Sequence, residues 1–219
     1  MTDTPSDPLA FASDDATGRY YEQRAAEYDE WYLGQGLFAD RVRPGWDDDV
    51  RGLLDAIATL RPAHSLDIAC GTGFLTAQLP GSVVGIDQSP AMIGIASARV
   101  PSGVFQVADA LALPFADGSF DRVFTGHFYG HLPPAERAIF LSEARRVAGE
   151  LVVVDSALRP GVDAAGWQTR TLNDGSRHRV YKRYFTADGL ADELSGEVLY
   201  AGPYFVGVRA VLRCEDSRQ

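Results

Sequence analysis

A glycine-containing segment with one acid before it and another after it is the part of the sequence best suited to bind a ligand. The segment reads SLDIACGTGFL, and its third residue is Asp67. Small residues at Ala69, Gly71 and Gly73 let the backbone approach a ligand closely, and a helix beginning there offers unpaired N–H groups. Asp87 stands at the end of the next apolar run. In doubly wound sheets, an acid at that place accepts hydrogen bonds from a ribose.

The type of ligand follows from two departures from a dinucleotide site. A dinucleotide fingerprint requires G-x-G-x-x-G, but Thr76 occupies the place of its third glycine. Asp67, ahead of the glycines, suits a ligand with an ammonium group better than a pyrophosphate. S-adenosylmethionine carries an amino-acid end, a ribose and an adenine. The pattern therefore favours S-adenosylmethionine over NAD, and no constellation for hydride transfer accompanies it.

Two of the four histidines, His127 and His131, follow the fourth predicted strand, at the edge of the sheet where ligands bind. A hydroxyl acceptor benefits from a general base, whereas an ionised oxygen needs none at neutral pH. Both histidines are catalytic candidates. We expect His127 near the reacting methyl group, while His131 also suits a structural role. Gly126 and Gly130 disfavour a regular helix here and no carboxylate is adjacent, so we expect no metal site.

Positive charge is concentrated in the run RTLNDGSRHRVYKRYF, which contains Lys182, the only lysine of the chain. Its NDG triplet predicts a hairpin turn between two strands, or a helix end leading into one strand. A three-residue turn would place Arg170 and Lys182 on one face, whereas a two-residue turn would separate them. We expect this pair to hold an anionic group, because arginine offers a bidentate fork and lysine a point charge. The other arginines of the run are expected to face solvent.

Alternating apolar and helical stretches must position these residues. Predicted strands cover residues 65–69, 83–86, 104–107, 120–125 and 151–154, and predicted helices cover 46–60, 73–79, 89–100 and 134–147, with another beginning near 186. Short strands bounded by helices imply a parallel sheet that is covered on both faces. The fold class is therefore α/β, with a doubly wound sheet in a single domain.

An aromatic stretch precedes this alternating region. Residues 19–32 predict an amphipathic helix, which either docks on the core or acts as a lid with Tyr20, Tyr21 and Tyr28 facing the ligand. The resulting organisation has three parts: a disordered arm (1–18), a single domain (19–214) and a tail (215–219). The domain contains a helical lid segment (19–45) and a substrate-side insertion (156–185).

Composition limits the partners. The chain of 219 residues has 20 basic and 30 acidic residues, a net charge of −10, which argues against broad binding of a nucleic-acid backbone. No apolar stretch is long enough to span a bilayer, and the first residues do not resemble a signal peptide. Cys70 and Cys214 suit free thiols in a reducing compartment. We expect a cytoplasmic monomer or homodimer that acts on a small molecule and binds neither nucleic acid nor membrane.

Four segments together resemble the class I S-adenosylmethionine-dependent methyltransferases of the small-molecule type: LDIACGTGFL, VVGIDQSPAMI, VADALALPFADGSFDRVF and FTGHFYGHL. The resemblance implies a Rossmann-like sheet of seven strands in the order 3-2-1-4-5-7-6, with strand 7 antiparallel. It also implies S-adenosylmethionine as the methyl donor and S-adenosylhomocysteine as the product. Ala69 replaces the first glycine of the family motif, and we expect the turn to tolerate its methyl group.

The resemblance also assigns site residues. It implies that Asp87 binds the ribose, that Gln88 and Met92 surround the adenine, and that Asp109 and Ala110 contact the adenine edge; for Met92, simple core packing is an equal alternative. The full set of expected cofactor residues is Tyr20, Tyr28, Asp67, Ala69, Gly71, Gly73, Asp87, Gln88, Met92, Asp109, Ala110 and His127. The expected substrate residues are Tyr32, Arg170 and Lys182.

A narrower likeness extends further along the chain. The early YY…EYD stretch, the H-x-x-x-H pair and R-T-L-x-D-G…K are similar to small O-methyltransferases of antibiotic pathways, some of which methylate a phosphonate. This likeness implies transfer to an oxygen of an anionic group, such as a phosphonate or carboxylate, or of a hydroxyl in a secondary-metabolite pathway. The alternatives are N-methylation of a small molecule and binding of S-adenosylmethionine without catalysis.

Overall fold

The structure is a computed structural model that describes residues 14–212. Its strands are β1 (Ala63–Ile68), β2 (Gly81–Asp87), β3 (Val104–Val107), β4 (Phe120–Gly126), β5 (Ala148–Ser156), β6 (Ala165–Thr171), β7 (Arg177–Arg183), β8 (Glu197–Ala201) and β9 (Phe205–Val211). Seven of them form one sheet in the order β3-β2-β1-β4-β5-β9-β8. The first five strands run parallel, and β9 is antiparallel to both of its neighbours. Strands β6 and β7 form a separate hairpin, so β8 and β9 are the sixth and seventh strands of the main sheet. The observed order therefore confirms the expected 3-2-1-4-5-7-6.

The helices are α1 (Asp15–Arg24), α2 (Glu30–Leu33), α3 (Trp46–Ala58), α4 (Pro90–Arg99), α5 (Pro134–Val147) and α6 (Ala187–Leu194). Strand β5 shows how they cover the sheet. Leu151 and Val153 belong to the core cluster shared with α5 and α6, whereas Val152 and Val154 belong to the cluster shared with α3. Successive side chains of a strand point to opposite faces, so both faces of this parallel sheet are buried. None of these helices is long and apolar enough to cross a membrane.

The N-terminal segment differs from the single helix expected for residues 19–32. Helix α1 already begins at Asp15, because the carboxylate of Asp14 accepts a hydrogen bond from Thr17 N–H and caps the first turn. The expected boundary of the arm at residue 18 is therefore wrong; residues 1–13 lie outside the described range. The chain then tightens into a 3₁₀ turn at Ala25–Glu27 before α2 begins.

The helix expected over residues 73–79 is reduced to a 3₁₀ turn at Thr76–Gln78. Two features explain this difference. Gly71 and Gly73 both adopt positive φ, so the helix cannot begin earlier. Pro80 and Gly81 follow almost at once, and they leave less than two turns of chain between the glycines and β2.

The basic run forms the hairpin β6–β7. Leu172 and Ser176 close a loop of three residues, in which Gly175 has a φ of 83°. Arg170 pairs with His178 across the two strands. His178 and Lys182 share a face by strand alternation, so Arg170 and Lys182 lie on one face, as a three-residue turn requires. In the described part of the chain Cys70 is a free thiol, and Cys214 lies beyond it.

Candidate active site

A cavity lies where the carboxyl ends of β1, β2 and β4 meet helix α1. Nine residues expected at the site line this cavity: Tyr28, Ala69, Gly71, Asp87, Gln88, Met92, Ala110, His127 and His131. Thr17, Gly18 and Tyr21 of α1 cover it, and the sequence analysis had not singled out the first two. Met92 is both buried in the core and part of the wall, so its two alternative roles coincide.

The turn after β1 has the backbone shape that its small residues predict. Ala69 and Gly71 adopt φ values of 58° and 54°. For Ala69 this left-handed conformation costs roughly 1–2 kcal/mol, yet the turn is intact. A side chain at Gly71 would contact the ring of Tyr28 at 3.6 Å, and one at Gly73 would press on Ala96 at 3.2 Å. Gly71 thus opens the turn toward the cavity, whereas Gly73 allows α4 to pack closely.

Asp87 ends β2 with both carboxylate oxygens directed at backbone N–H groups. One oxygen accepts from Gly71 at 3.0 Å and the other from Ser89 at 2.9 Å. Asp87 therefore holds the glycine turn against the start of α4. Its pKa is raised by burial, which these hydrogen bonds partly offset. Each carboxylate oxygen retains lone-pair capacity toward the cavity that it lines.

Asp67 lies deeper, in β1, and borders a smaller cavity with Tyr28, Tyr32 and Ala69. One oxygen accepts a hydrogen bond from the Thr76 hydroxyl at 2.5 Å, while the other is buried and has no hydrogen-bond partner among residues 14–212. Burial raises the pKa of Asp67 to about 7. A buried carboxylate oxygen without a partner is costly, so this arrangement calls for a cationic or N–H-bearing group beside it.

His127 follows β4 and adopts a φ of 60°. Its ring lies within 6 Å of the rings of Trp31, Tyr32 and Phe205. Burial lowers the pKa of His127 to about 3, so the imidazole is neutral. Its Nδ1 lies 3.4 Å from the Ser156 hydroxyl, whereas its buried Nε2 has no hydrogen-bond partner in the described part of the chain. A neutral imidazole protonated at Nδ1 offers Nε2 as a proton acceptor.

Comparisons with known proteins agree with this geometry. Residues 66–150 match the family model described as "Methyltransferase domain". The demethylmenaquinone methyltransferase of Lactiplantibacillus plantarum is 34% identical over 178 residues, which cover 69% of each chain. The chain belongs to the class I S-adenosylmethionine-dependent methyltransferases. The expectations of this family, of its cofactor and of the small-molecule type are confirmed.

Other matches differ in how much of each chain they cover. The demethylmenaquinone methyltransferase of Beutenbergia cavernae is 38% identical over 116 residues, and the match spans 50% of this chain and 48% of that enzyme. This methyltransferase thus spans about half the length of that curated relative. A solved structure described as "DhpI-SAM-HEP complex" shares the fold with a TM-score of 0.73 at 23% identity, over 93% of this chain and 99% of that one.

The residues of this methyltransferase fit S-adenosylmethionine at two points. The unpartnered oxygen of Asp67 suits the ammonium of the cofactor's amino-acid end, because burial raises the pKa of this carboxyl and a positive neighbour would favour its ionised form. The oxygens of Asp87 face the cavity where two ribose hydroxyls would lie. With the cofactor in this orientation, Asp67 would lie at its amino-acid end and Asp87 at its nucleoside end.

Four of the expected residues have other surroundings. Tyr20 lines a second cavity with Arg170, and Tyr32 stacks on Phe74 at 4.1 Å beside Asp67. Gly73 makes the helix packing described above. Asp109 is exposed and caps its own turn by accepting a hydrogen bond from Leu111 N–H.

Asp155, at the end of β5, was missed by the sequence analysis. It is fully buried, and its oxygens accept hydrogen bonds from Gly130 N–H at 2.7 Å and from Lys182 Nζ at 2.5 Å. It also lies 3.9 Å from Nδ1 of His127, a separation too long for a hydrogen bond. An acid that ends the apolar run LVVV at the carboxyl edge of a parallel strand was the signal available in the sequence.

Lys182 therefore has protein partners on the face that it shares with Arg170. Its ammonium is buried, pairs with Asp155 and lies 3.3 Å from the carbonyl of His127. Burial lowers the pKa of Lys182, which Asp155 partly offsets. The ion pair links β7 of the hairpin to β5 of the sheet, next to the backbone carbonyl of His127.

His131 combines a place on the cavity wall with structural contacts. Its Nδ1 lies 2.5 Å from the carbonyl of Tyr181 in β7, and its Nε2 lies 3.4 Å from the hydroxyl of Tyr21 in α1. Burial lowers its pKa well below the usual range. His131 thus connects α1, the hairpin and the segment that follows β4.

Proposed function

We propose that this methyltransferase transfers the methyl group of S-adenosylmethionine to an oxygen of a small-molecule acceptor. The observation that carries the proposal is the neutral imidazole of His127. This residue borders the cavity lined by the expected cofactor residues, and its buried Nε2 has no hydrogen-bond partner within residues 14–212. S-adenosylmethionine, when bound, supplies the methyl group and the sulfide leaving group. The protein must then position the acceptor, exclude water and accept a proton where one is released.

Each residue around the imidazole has a part in this proposal. His127 accepts the proton of a hydroxyl acceptor at Nε2, and the charge of Asp155 at 3.9 Å, which raises the pKa of the imidazole against the effect of burial, stabilises the resulting imidazolium. Trp31, Tyr32 and Phe205 surround the ring and keep water away from it. An acceptor oxygen that is already ionised needs no base, and His127 would then only help to position it.

For the acceptor, we propose an oxygen of an anionic or hydroxyl group in a secondary-metabolite pathway of the cytoplasm. The likeness of the hairpin run to antibiotic-pathway O-methyltransferases supports this choice, as does the similar fold of DhpI, which was solved with HEP. Tyr32, Arg170 and Lys182 remain the proposed substrate residues, although Lys182 also pairs with Asp155. The distinct alternatives are N-methylation and binding of S-adenosylmethionine without catalysis.

Ligand-induced stabilisation tests the cofactor. A ligand that binds only the folded state raises the melting temperature, so S-adenosylmethionine and S-adenosylhomocysteine should stabilise the protein and NAD should not. Stabilisation by NAD alone would contradict the proposal. His127→Gln should lose most transfer to a hydroxyl acceptor when it is saturated with S-adenosylmethionine, because general-base catalysis contributes about 10²–10⁴-fold. If a screen of acceptors with radiolabelled methyl donor finds no transfer although the cofactor binds, binding without catalysis is the better account.

A further inference from the structure

A second cavity lies beside the cofactor cavity, between the N-terminal segment, the β6–β7 hairpin and the end of β5. Its volume is ≈ 380 Å³. Five arginines line it: Arg24, Arg41, Arg43, Arg159 and Arg170. We refer to this cavity as the arginine chamber. In a chain of net charge −10, such a convergence of guanidinium groups requires a physical explanation.

The chamber arginines differ from most others in their partners. Eight arginines elsewhere lie within 4 Å of a carboxylate: Arg51, Arg61, Arg99, Arg122, Arg137, Arg146, Arg183 and Arg209. Within residues 14–212, none of the chamber arginines has such a partner. Most of them lie over aromatic rings instead. Arg24 lies over Tyr28 at 4.9 Å and Arg159 over Tyr204 at 4.7 Å.

The two glutamates of the chamber wall do not neutralise these arginines. Glu27 accepts a hydrogen bond from Asn173 N–H at 2.7 Å, and Glu30 accepts from the side-chain amide of Asn173 at 3.0 Å. Both carboxylates therefore fasten the N-terminal segment to the hairpin loop. Even when their charges are counted, the wall carries three more positive than negative charges.

We call Arg24 and Arg170 the inner pair of the chamber, because they are the two chamber arginines whose charges act on His127. The Arg24 guanidinium donates to the Tyr20 hydroxyl at 2.6 Å, and Arg170 makes no hydrogen bond or ion pair with the described residues. Besides burial, which lowers the pKa of His127 most, both of these positive charges lower that pKa further. The other three, Arg41, Arg43 and Arg159, are called the outer group; burial and then the like charges of Arg41 and Arg159 lower the pKa of Arg43.

Aromatic contacts link the chamber to the cofactor cavity. Trp31 lines the chamber, and its ring lies 4.9 Å from that of His127, which lines the cofactor cavity. Tyr20 of the chamber lies 4.8 Å from Tyr21 of the cofactor cavity. A ligand held in the chamber is thus separated from the residues of the cofactor cavity by a single aromatic side chain. The two cavities are therefore close enough for their ligands to take part in one reaction.

We infer that the arginine chamber binds a phosphate- or phosphonate-type dianion of the methyl acceptor, with Arg24 and Arg170 as its anchors. This inference rests on the proposed function and adds Arg24, a residue of the lid helix, as a determinant of acceptor specificity. Two guanidinium forks suit the several oxygens of a tetrahedral dianion, and its charge offsets most of the excess in the wall. Lys182 does not line the chamber. Its ammonium forms an ion pair with Asp155 instead.

Binding of simple anions to the full chain tests the inference without knowledge of the acceptor. Inorganic phosphate, phenyl phosphate and acetate are titrated by calorimetry into the protein saturated with S-adenosylhomocysteine, at constant ionic strength. Phosphate and phenyl phosphate should bind and acetate should bind more weakly. Arg24→Met and Arg170→Met should each weaken phosphate binding by about tenfold or more, because each removes charge-assisted hydrogen bonds. Arg24→Lys should retain part of the affinity and guards against a folding defect in Arg24→Met.

Two exposed arginines provide matched controls. Arg19 lies on the same helix as Arg24. Arg177 lies in β7, the strand that pairs with the strand of Arg170. Arg19→Met and Arg177→Met should change phosphate affinity by less than about twofold. The inference is overturned if the wild type does not bind phosphate, or if the control variants lose as much affinity as the chamber variants. Binding of phosphate without S-adenosylhomocysteine binding would contradict the proposed function and leave the chamber supported.

Discussion

At the scale of single residues, Asp67 and Asp87 show how one sheet edge gives two carboxylates different tasks. Asp87 has both oxygens engaged by N–H donors, whereas Asp67 has one oxygen engaged by Thr76 and one without a partner in the described structure. A carboxylate surrounded by donors favours its ionised form, and a buried one that lacks them favours the neutral form. Their responses to substitution and to pH should differ accordingly.

Replacing Asp87 with alanine should weaken cofactor binding substantially without unfolding the protein. Each charge-assisted hydrogen bond that the ribose loses is worth on the order of 1.5–3 kcal/mol. Asp87→Asn keeps an acceptor oxygen for the glycine turn and should lose less affinity. Titration calorimetry measures both, with melting temperatures as the check on folding. Unchanged affinity of Asp87→Ala would place the ribose elsewhere.

Binding of S-adenosylhomocysteine should release a proton from Asp67. Without ligand, this carboxyl has a pKa of about 7, and an ammonium beside it favours ionisation and lowers that pKa. Near pH 6 the free protein holds the proton and the complex does not, so about one proton should leave on binding, and almost none at about pH 8. Affinity should accordingly rise from pH 6 to pH 7 and then level off.

Calorimetry in buffers of different ionisation enthalpy measures this release. Asp67→Asn cannot titrate and should show no release that depends on this residue. If wild type and Asp67→Asn release the same number of protons, the ammonium does not lie beside Asp67.

At the scale of elements, the hairpin and β5 are joined by a buried charge pair. Lys182 and Asp155 are almost completely buried, and removing one partner leaves the other charge unpaired. We expect Asp155→Asn and Lys182→Met each to lower the free energy of unfolding by about 3–5 kcal/mol, and the double variant to cost less than their sum. Urea unfolding measures all three. Arg179→Met, on the exposed face of β7, is the control, and additive costs would contradict the pairing.

The N-terminal segment is held over the cofactor cavity by its own acids. Asp29 accepts hydrogen bonds from Thr72 in the glycine turn and from Arg99 at the end of α4, and Glu22 accepts from Ser89. These contacts support the interpretation of a lid, and amide exchange across residues 15–33 should slow when S-adenosylhomocysteine binds.

Asp29→Asn should speed that exchange and weaken S-adenosylhomocysteine binding, because it loses the ion pair with Arg99. Asp40→Asn, an exposed acid of the same segment, should do neither. Identical exchange with and without ligand would favour a helix that merely docks on the core.

Much of the sheet edge could be predicted from the sequence, because its information is local. Apolar runs of a few residues, each followed by small or acidic residues, predict strand ends, and the order of strands followed from the family motifs. The misplaced features depend on distant contacts. Nothing near Lys182 indicates that its partner is Asp155, 27 residues away, and nothing within residues 73–79 shows that Thr76 turns inward to Asp67. The arginine chamber likewise joins α1, the loop before α3, β6 and the segment after β5, which only the fold brings together.

At the scale of the whole molecule, a net charge of −10 surrounds a cavity with an excess of positive charge. The net charge repels an approaching anion, whereas the excess of arginines over glutamates in the wall attracts it to the chamber. A concave wall with an excess of one charge concentrates its field, so the outer arginines should draw the anion toward Arg24 and Arg170. This division of roles makes the salt dependence of binding informative.

Salt should weaken binding in the chamber and leave the cofactor site nearly unaffected. Between about 0.05 and 0.5 M NaCl, phosphate affinity should fall by about tenfold, because the Debye length becomes shorter and salt screens the attraction of the chamber arginines for the anion. S-adenosylhomocysteine affinity, measured in the same samples, should change by less than about twofold, because its charges are balanced and its main partners are buried. Arg41→Met and Arg159→Met should make phosphate affinity less dependent on salt. Each should also weaken phosphate binding less than Arg24→Met does. Equal salt slopes for both ligands, or a slope that Arg41→Met leaves unchanged, would show that the outer arginines do not act on the chamber.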